Sequence, residues 1–330
     1  MKTNKEKGCY IFMKAMSAKK STEYRRESLA RHIWKNRALV LMALPVIILL
    51  IMFNYIPMIG SIVAFKKFNY QDGIFGSPWC GLENFKFLFN MKSLTWRMLR
   101  NTVGYYILFT AIGTVASVAL AIALNECRKK YFAKVSQTIL ILPTFISYVA
   151  VSYIGECFFN TNGLLNSTLL SMGKETVAWY QEAKYWPVIL TIVNVWKETG
   201  YSSIIYLSAL AGIDQEMMEA ASLDGATKWQ QIRYITLPML ASMISIVTLM
   251  GLGGIVSSNT GLFYTFTKNS SMIYETTQTI DTYVLNALTS ATGNFGPSSA
   301  VSFFQSVVGC IMVVVVNLIV RKKSPESALF

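Results

Sequence analysis

Between Arg37 and Lys66 the chain carries no charged side chain, and the run ALVLMALPVIILLIMF at 38–53 has no polar one. Crossing the hydrocarbon of a bilayer takes roughly 20 apolar residues as a helix. Six stretches meet that length: 38–65, 101–125, the segment between Lys134 and Glu156, 185–212, 238–256, and 300–320, which Arg321, Lys322 and Lys323 stop. Membrane-crossing β-strands need alternation with period two, and none of these runs shows it. The expected fold class is an all-α integral membrane protein with six transmembrane helices.

Composition agrees. Charged residues make up 14% of the 330, against about 25% in soluble domains, which must solvate their surface. A soluble enzyme, a disordered chain and a coiled coil are all disfavoured. The five cysteines, Cys9, Cys80, Cys127, Cys157 and Cys310, lack any CxxC spacing and His32 is the one histidine, so neither a metal site nor a cofactor is expected. The start does not read as a signal peptide, because 37 mostly polar residues precede the first apolar run.

The net charge of +13 follows from topology rather than from nucleic acid. Counted over alternate segments, Lys and Arg number 20 on the side of the N-terminus and 9 on the other. The positive-inside rule then places both termini in the cytoplasm of a plasma membrane. The chain divides into a basic tail at 1–37, a first span with its following segment at 38–98, a core at 99–320, and a short tail at 321–330. The basic tail, with Lys19, Lys20, Arg25, Arg26 and Arg31, serves as a topology signal or lies along anionic membrane lipid.

The fourth stretch contains Lys197 and Glu198. A helix that began after them would be too short to cross, so both sit at depth, where an ionisable group costs on the order of 3 kcal/mol. Neighbouring helical residues point about 100° apart. The two should therefore find different partners or a wet path, or else form a structural polar pair between helices.

Between the fourth and fifth stretches lies IDQEMMEAASLDGATKWQQIRYITLPM at 213–239. Ile213, Met217, Ala220, Ala221 and Leu223 form an amphipathic stripe that Asp214 can cap. Gly225 supplies a left-handed residue to end it. Trp229, Ile232 and Ile235 continue a second helix, and Pro238 is placed to open the next span. The loop holds four acids and two bases, whereas a helix lying on anionic lipid should be basic. Docking into a groove on a cytoplasmic partner fits better.

Glu219-Ala220-Ala221, Asp224-Gly225-Ala226 and Leu237-Pro238 resemble the EAA loop of ABC importer permeases, the membrane subunits of binding-protein-dependent uptake systems. Ser242 stands where a second proline is common. YIPMIGSIVAFKKFNY at 55–70, GLENFKFLF at 81–89 and the segments 124–148 and 196–215 are similar to the carbohydrate branch, in particular to permeases for oligo- and polysaccharides. The resemblance implies the type I importer permease fold and no catalytic residue. The chain has no GxxxxGK[ST] loop for phosphates, so ATP and Mg are expected on two separate ATP-binding subunits. Glu219 and Asp224 would reach polar groups of an ATPase cleft, with Gly225 giving backbone clearance. A second, different permease and an extracellular solute-binding protein complete the implied complex.

A sugar path should mix aromatic and polar side chains; the candidates are Tyr153, Asn194, Trp196, Glu198, Tyr201 and Tyr206. Such aromatics also anchor membrane interfaces. The segment 258–299, rich in Thr, Ser and Asn, is either a site for the binding protein or an irregular loop. Two alternatives stay open: a permease of this class for a non-sugar solute, and an ion-coupled carrier using Lys197 and Glu198.

Overall fold

A computed structural model describes residues 36–127, 129–290 and 295–323; the basic tail to residue 35 and the segment 324–330 lie outside them. The chain forms two compact units, Met1–Ser61 and Ile62–Phe330. Among the described residues the secondary structure is helical apart from one isolated bridge, Lys66 to Trp79.

In the first unit, α1 (Arg37–Leu50) runs into a π turn at Ile51–Tyr55 and then Ile56–Ile59. Pro57 follows directly. A proline lacks the N–H for its own helical bond and its ring crowds the carbonyl four residues back, here Phe53. The wider π turn takes up that crowding without ending the helix.

In the second unit, α2 (Glu83–Asn90), α3 (Lys92–Asn125), α4 (Lys130–Phe145), α5 (Tyr148–Phe159), α6 (Leu164–Ser171) and α7 (Trp186–Leu210) precede the turn element α8 (Gln215–Leu223). Then follow α9 (Lys228–Gln231), α10 (Leu237–Gly251), α11 (Ile280–Thr289) and α12 (Phe295–Lys323). Among the described residues, four helical segments are long and apolar enough to cross a membrane: Arg37–Phe65, Lys92–Asn125, Lys228–Gly254 and Phe295–Lys322.

The other two expected spans depart from simple rods. The third is broken: α4 and α5 meet at 94°. Pro143 lies in the last turn of α4, Ile146 and Ser147 are extended, and the Ser147 side chain restarts the helix by accepting from the Ala150 N–H at 3.2 Å. The fourth is a continuous helix of 25 residues, about 37 Å at 1.5 Å per residue. It falls short on apolarity because polar residues, from Asn194 through Lys197 and Glu198 to Ser203, occupy its middle. Six crossings are thus not evident from apolar length alone.

The fifth expected span is also corrected. Its helix starts at Lys228, ten residues before Pro238, and passes the proline through a second π turn at Ile232–Thr236. The same device that accommodates Pro57 accommodates Pro238. The helix therefore joins the polar turn to the apolar rod without a break.

Helix α7 is the axis of this unit, packing along α3 and α4. At Gly200 the approach of α4 is so close that an added Cβ would lie 1.8 Å from the Leu140 carbonyl oxygen. Near one end, Trp186, Leu190, Tyr105, Val151, Phe263 and Phe266 form a buried cluster. Near the other, Val118, Ala121, Tyr206, Leu210 and Leu240 form a second. The polar middle of α7 lies between the two.

Candidate functional site

The turn after α7 is built by local rules. Asp214 accepts from the Glu216 N–H at 2.9 Å and so caps α8. Gly225 has φ +82°, and its N–H and that of Ala226 return to the carbonyls of Ser222 and Ala221 at 3.1 and 2.9 Å. This pair of bonds is the Schellman closure, with glycine at the left-handed position. Thr227 and Gln230 then cap each other at the start of α9. Gln231, buried, donates to Ser222 Oγ at 2.7 Å and holds the two helices together.

Nothing lies within 4 Å of a Cβ built on Gly225. Within this chain its need is for the backbone angle, not for space. Glu219 lines a groove of about 290 Å³ shared with Glu126, Lys228 and Gln231. Lys228 pairs with Glu126 at 3.1 Å, tying α9 to the end of α3. Ala220, Asp224, Leu237 and Pro238 are exposed, Ala221 and Ala226 half-buried. No residue of α8 is buried; Leu223 is 90% and Trp229 68% exposed. Of the apolar stripe expected for this helix, Ile213 packs against the second buried cluster and Ala221 is half-buried, while Met217, Ala220 and Leu223 are uncovered.

Midway along α7, Lys197 and Glu198 take different partners, as their angular separation requires. Lys197 is 4% exposed. Its ammonium donates to the carbonyls of Pro143, Thr144 and Ile146 at 3.1, 2.8 and 2.6 Å, and Thr144 Oγ1 donates back to the Lys197 carbonyl at 2.7 Å. These are the acceptors that a helix leaves unpaired at its C-terminus, where the dipole is negative. Lys197 therefore closes the break between α4 and α5.

Glu198 faces a cavity of about 140 Å³ with Asn194, Tyr206, Thr110, Thr114 and Ser202. Thr199 also lines it, and its hydroxyl is buried without a hydrogen-bond partner. Of the six expected path residues, the structure brings together Asn194, Glu198 and Tyr206. Tyr153, Trp196 and Tyr201 do not line the cavity and are exposed.

Two polar centres escaped the sequence reading. Tyr148 donates to Glu198 Oε1 at 3.5 Å and accepts from Asn259 Nδ2 at 3.1 Å. Asp281 accepts from the Ser258 N–H at 2.5 Å and from Gln305 Nε2 at 3.1 Å, joining the segment after the helix Lys228–Gly254 to α11 and α12. The usable signal was a carboxylate in a segment with little other charge.

A family model described as the binding-protein-dependent transport system inner membrane component matches residues 113–324. Protein LplB of Bacillus subtilis is 32% identical over 295 residues, 89% of this chain and 91% of that protein. The polygalacturonan/rhamnogalacturonan transport system permease protein YteP of the same organism is 31% identical over 304 residues, covering 92% and 94%. A bacterial ABC transporter involved in the import of the acidic polysaccharide alginate superposes with TM-score 0.80 at 31% identity, over 90% of this chain and 100% of that one. A bacterial alginate ABC transporter in complex with an alginate pentasaccharide-bound periplasmic protein gives 0.79 at 30% identity, over 90% and 99%. With its apolar helices and its uncovered helical turn, this chain belongs to the family of binding-protein-dependent transport system inner membrane components.

Proposed function

We propose that the chain is the translocation subunit of an ATP-driven importer that moves an oligo- or polysaccharide fragment delivered by an extracellular solute-binding protein. The observation that carries this reading is the Asp214–Thr236 turn: a rigid two-helix projection with acids and large apolar side chains uncovered, continuous with a span and tied to α3. It suits a part that is gripped and moved from outside. The chain itself lacks a phosphate-cradling loop, so ATP and Mg act on two partner subunits. Glu219 and Asp224 meet polar groups there, Leu223 and Trp229 fill an apolar groove, and the Pro238 π turn passes the motion into α10.

The carbohydrate assignment draws on the glycans in the names of YteP and of the alginate transporter, and on the cavity. A sugar ring offers hydroxyl donors and acceptors, and Glu198, Asn194, Thr110, Thr114 and the unpartnered Thr199 answer them. Six crossings count the broken α4–α5 pair and α7 as spans, with the buried Lys197 satisfied by the carbonyls at the break. Both termini and the turn then lie in the cytoplasm of a bacterial cell, by the same charge bias. A second, different permease completes the pathway, and 258–299 faces the binding protein. Lys197 does not suit an ion-coupling role, because its ammonium is fixed on three carbonyls.

Uptake of labelled glycans by vesicles carrying the complete complex tests the cargo. Import of a glycan presented by the binding protein is expected; import of amino acids or peptides alone would overturn the carbohydrate reading.

A further inference from the structure

Tyr148 occupies a place that the proposed transport role does not yet explain. It is the first residue of α5, just past the break that Lys197 closes. The Lys197 ammonium sits over its ring, 4.8 Å from the centroid, a favourable cation–π placement. Its ring edge lies against Gly261, where a Cβ would come within 2.5 Å of Cδ2. Ring and ammonium are therefore fixed from two sides.

The hydroxyl is held differently. It bridges the cavity wall and the segment that follows the helix Lys228–Gly254: toward α7 it donates to Glu198 Oε1 at 3.5 Å, and from the other side Asn259 Nδ2 donates to it at 3.1 Å. Asn259 Oδ1 in turn accepts from the Leu262 N–H at 3.3 Å, heading the π turn Gly261–Phe266. That turn carries Leu262, Phe263 and Phe266 into the buried cluster with α5 and α7. One phenol thus connects a cavity carboxylate to a packed segment on another element.

The Glu198 contact is the weak link, since 3.5 Å is at the outer limit for an O–H···O bond, whose usual length is about 2.7–2.8 Å. A ligand hydroxyl at normal distance from the same carboxylate oxygen replaces it at little cost. The phenol then loses its acceptor and turns its proton elsewhere, and the Asn259 bond loses its alignment.

We propose that Tyr148 is a positioning residue that reports occupancy of the Glu198 cavity to the Asn259–Phe266 segment, a hydroxyl-bearing ligand displacing the phenol from Glu198 and so releasing its tie to Asn259. This rests on the reading that a carbohydrate passes the Glu198 cavity. Tyr148→Phe removes both hydrogen bonds while keeping the ring, the ammonium contact and the fit against Gly261. Asn259→Ala cuts the far half and also removes the Oδ1 acceptor of the Leu262 N–H, so for this variant only the amides of 263–266 are read.

The test uses the complete complex in nanodiscs without nucleotide, with hydrogen exchange followed at the amides of 262–266. In the wild type, millimolar oligosaccharides from a panel of neutral and uronate sugars should raise exchange there at least fivefold. Tyr148→Phe should show that raised exchange without sugar and respond no further. Asn259→Ala should match it, and the double variant should not exceed either; if Tyr148→Phe does not assemble, Asn259→Ala decides alone. Wild-type exchange in both variants, additive effects in the double variant, or a wild type that imports a glycan without any response at 262–266 would overturn the proposal. Failure of the wild type to import any glycan of the panel instead overturns the carbohydrate reading, and the sugar-free exchange of the two variants still decides whether the tie exists.

Discussion

A buried ammonium in the middle of a long helix is stable only when its donors are used, and Lys197 meets that condition with three backbone carbonyls at the end of α4. Lys197→Met takes the ammonium donor from all three carbonyls and leaves Pro143 with only its Ile146 N–H partner. Loss of about 3 kcal/mol or more is expected, seen as a lower unfolding temperature of the purified protein in detergent. Gly200 makes a second demand at the same interface. An added Cβ would meet the Leu140 carbonyl oxygen, so Gly200→Ala has to push α4 from α7 at a cost of about 1–3 kcal/mol; unchanged thermal stability would contradict the close approach. That Lys197 and Glu198 take different partners was legible from the sequence, by their angular separation. The identity of those partners was not. A carbonyl carries no side-chain signature, and Pro143 to Ile146 lie some fifty positions away. Tyr148 was hidden for a related reason: an aromatic in an apolar run reads as packing until its hydroxyl is seen to have partners.

At the scale of elements, caps and turn residues were readable because their rules are local. Asp214, Gly225 and the amphipathic stripe of α8 all act as their positions suggest. Asp214→Ala should cost about 1 kcal/mol, detectable as faster amide exchange over the first turn of α8. Pro238 stands in the first turn of α10, as read, but α10 continues backward through a π turn to Lys228, so the long helix does not begin at the proline. A proline can stand inside a continuous helix when the turn before it widens, and nothing in 232–236 announces a π turn. Pro238→Ala removes the crowding at the Tyr234 carbonyl and lets the turn revert to α geometry. One residue fewer per bulge rotates α9 against α10 by about 100°. Spin-label distances from Trp229→Cys to a site on α10 should shift; unchanged distances would show that the bulge has another cause. The break at Ile146–Ser147 was likewise illegible. Pro143 is the one local signal in this stretch, but a proline can also stand inside a continuous helix, as Pro57 and Pro238 do, and the carbonyls freed here are met by Lys197 from another helix.

For the whole molecule, the account is of a bundle moved from outside. The turn Asp214–Thr236 is stiffened by the Gln231–Ser222 bond and linked to α3 by the Lys228–Glu126 pair. Displacement of the turn is thereby shared between α10 and α3, which flank the Glu198 cavity with α7. Rigid elements of this kind suit switching between packed states. Gly225→Leu forces a branched side chain into φ +82°, about 1–2 kcal/mol of strain, and places bulk at the proposed docking turn. Substrate-stimulated ATP hydrolysis by an assembled complex should fall at least tenfold. The most direct measurement is solute uptake into vesicles containing this permease and its partners, with and without the ATP-hydrolysing subunits. Uptake that requires both those subunits and ATP is predicted; uptake by the membrane subunits alone, driven by a proton or sodium gradient, would contradict the account.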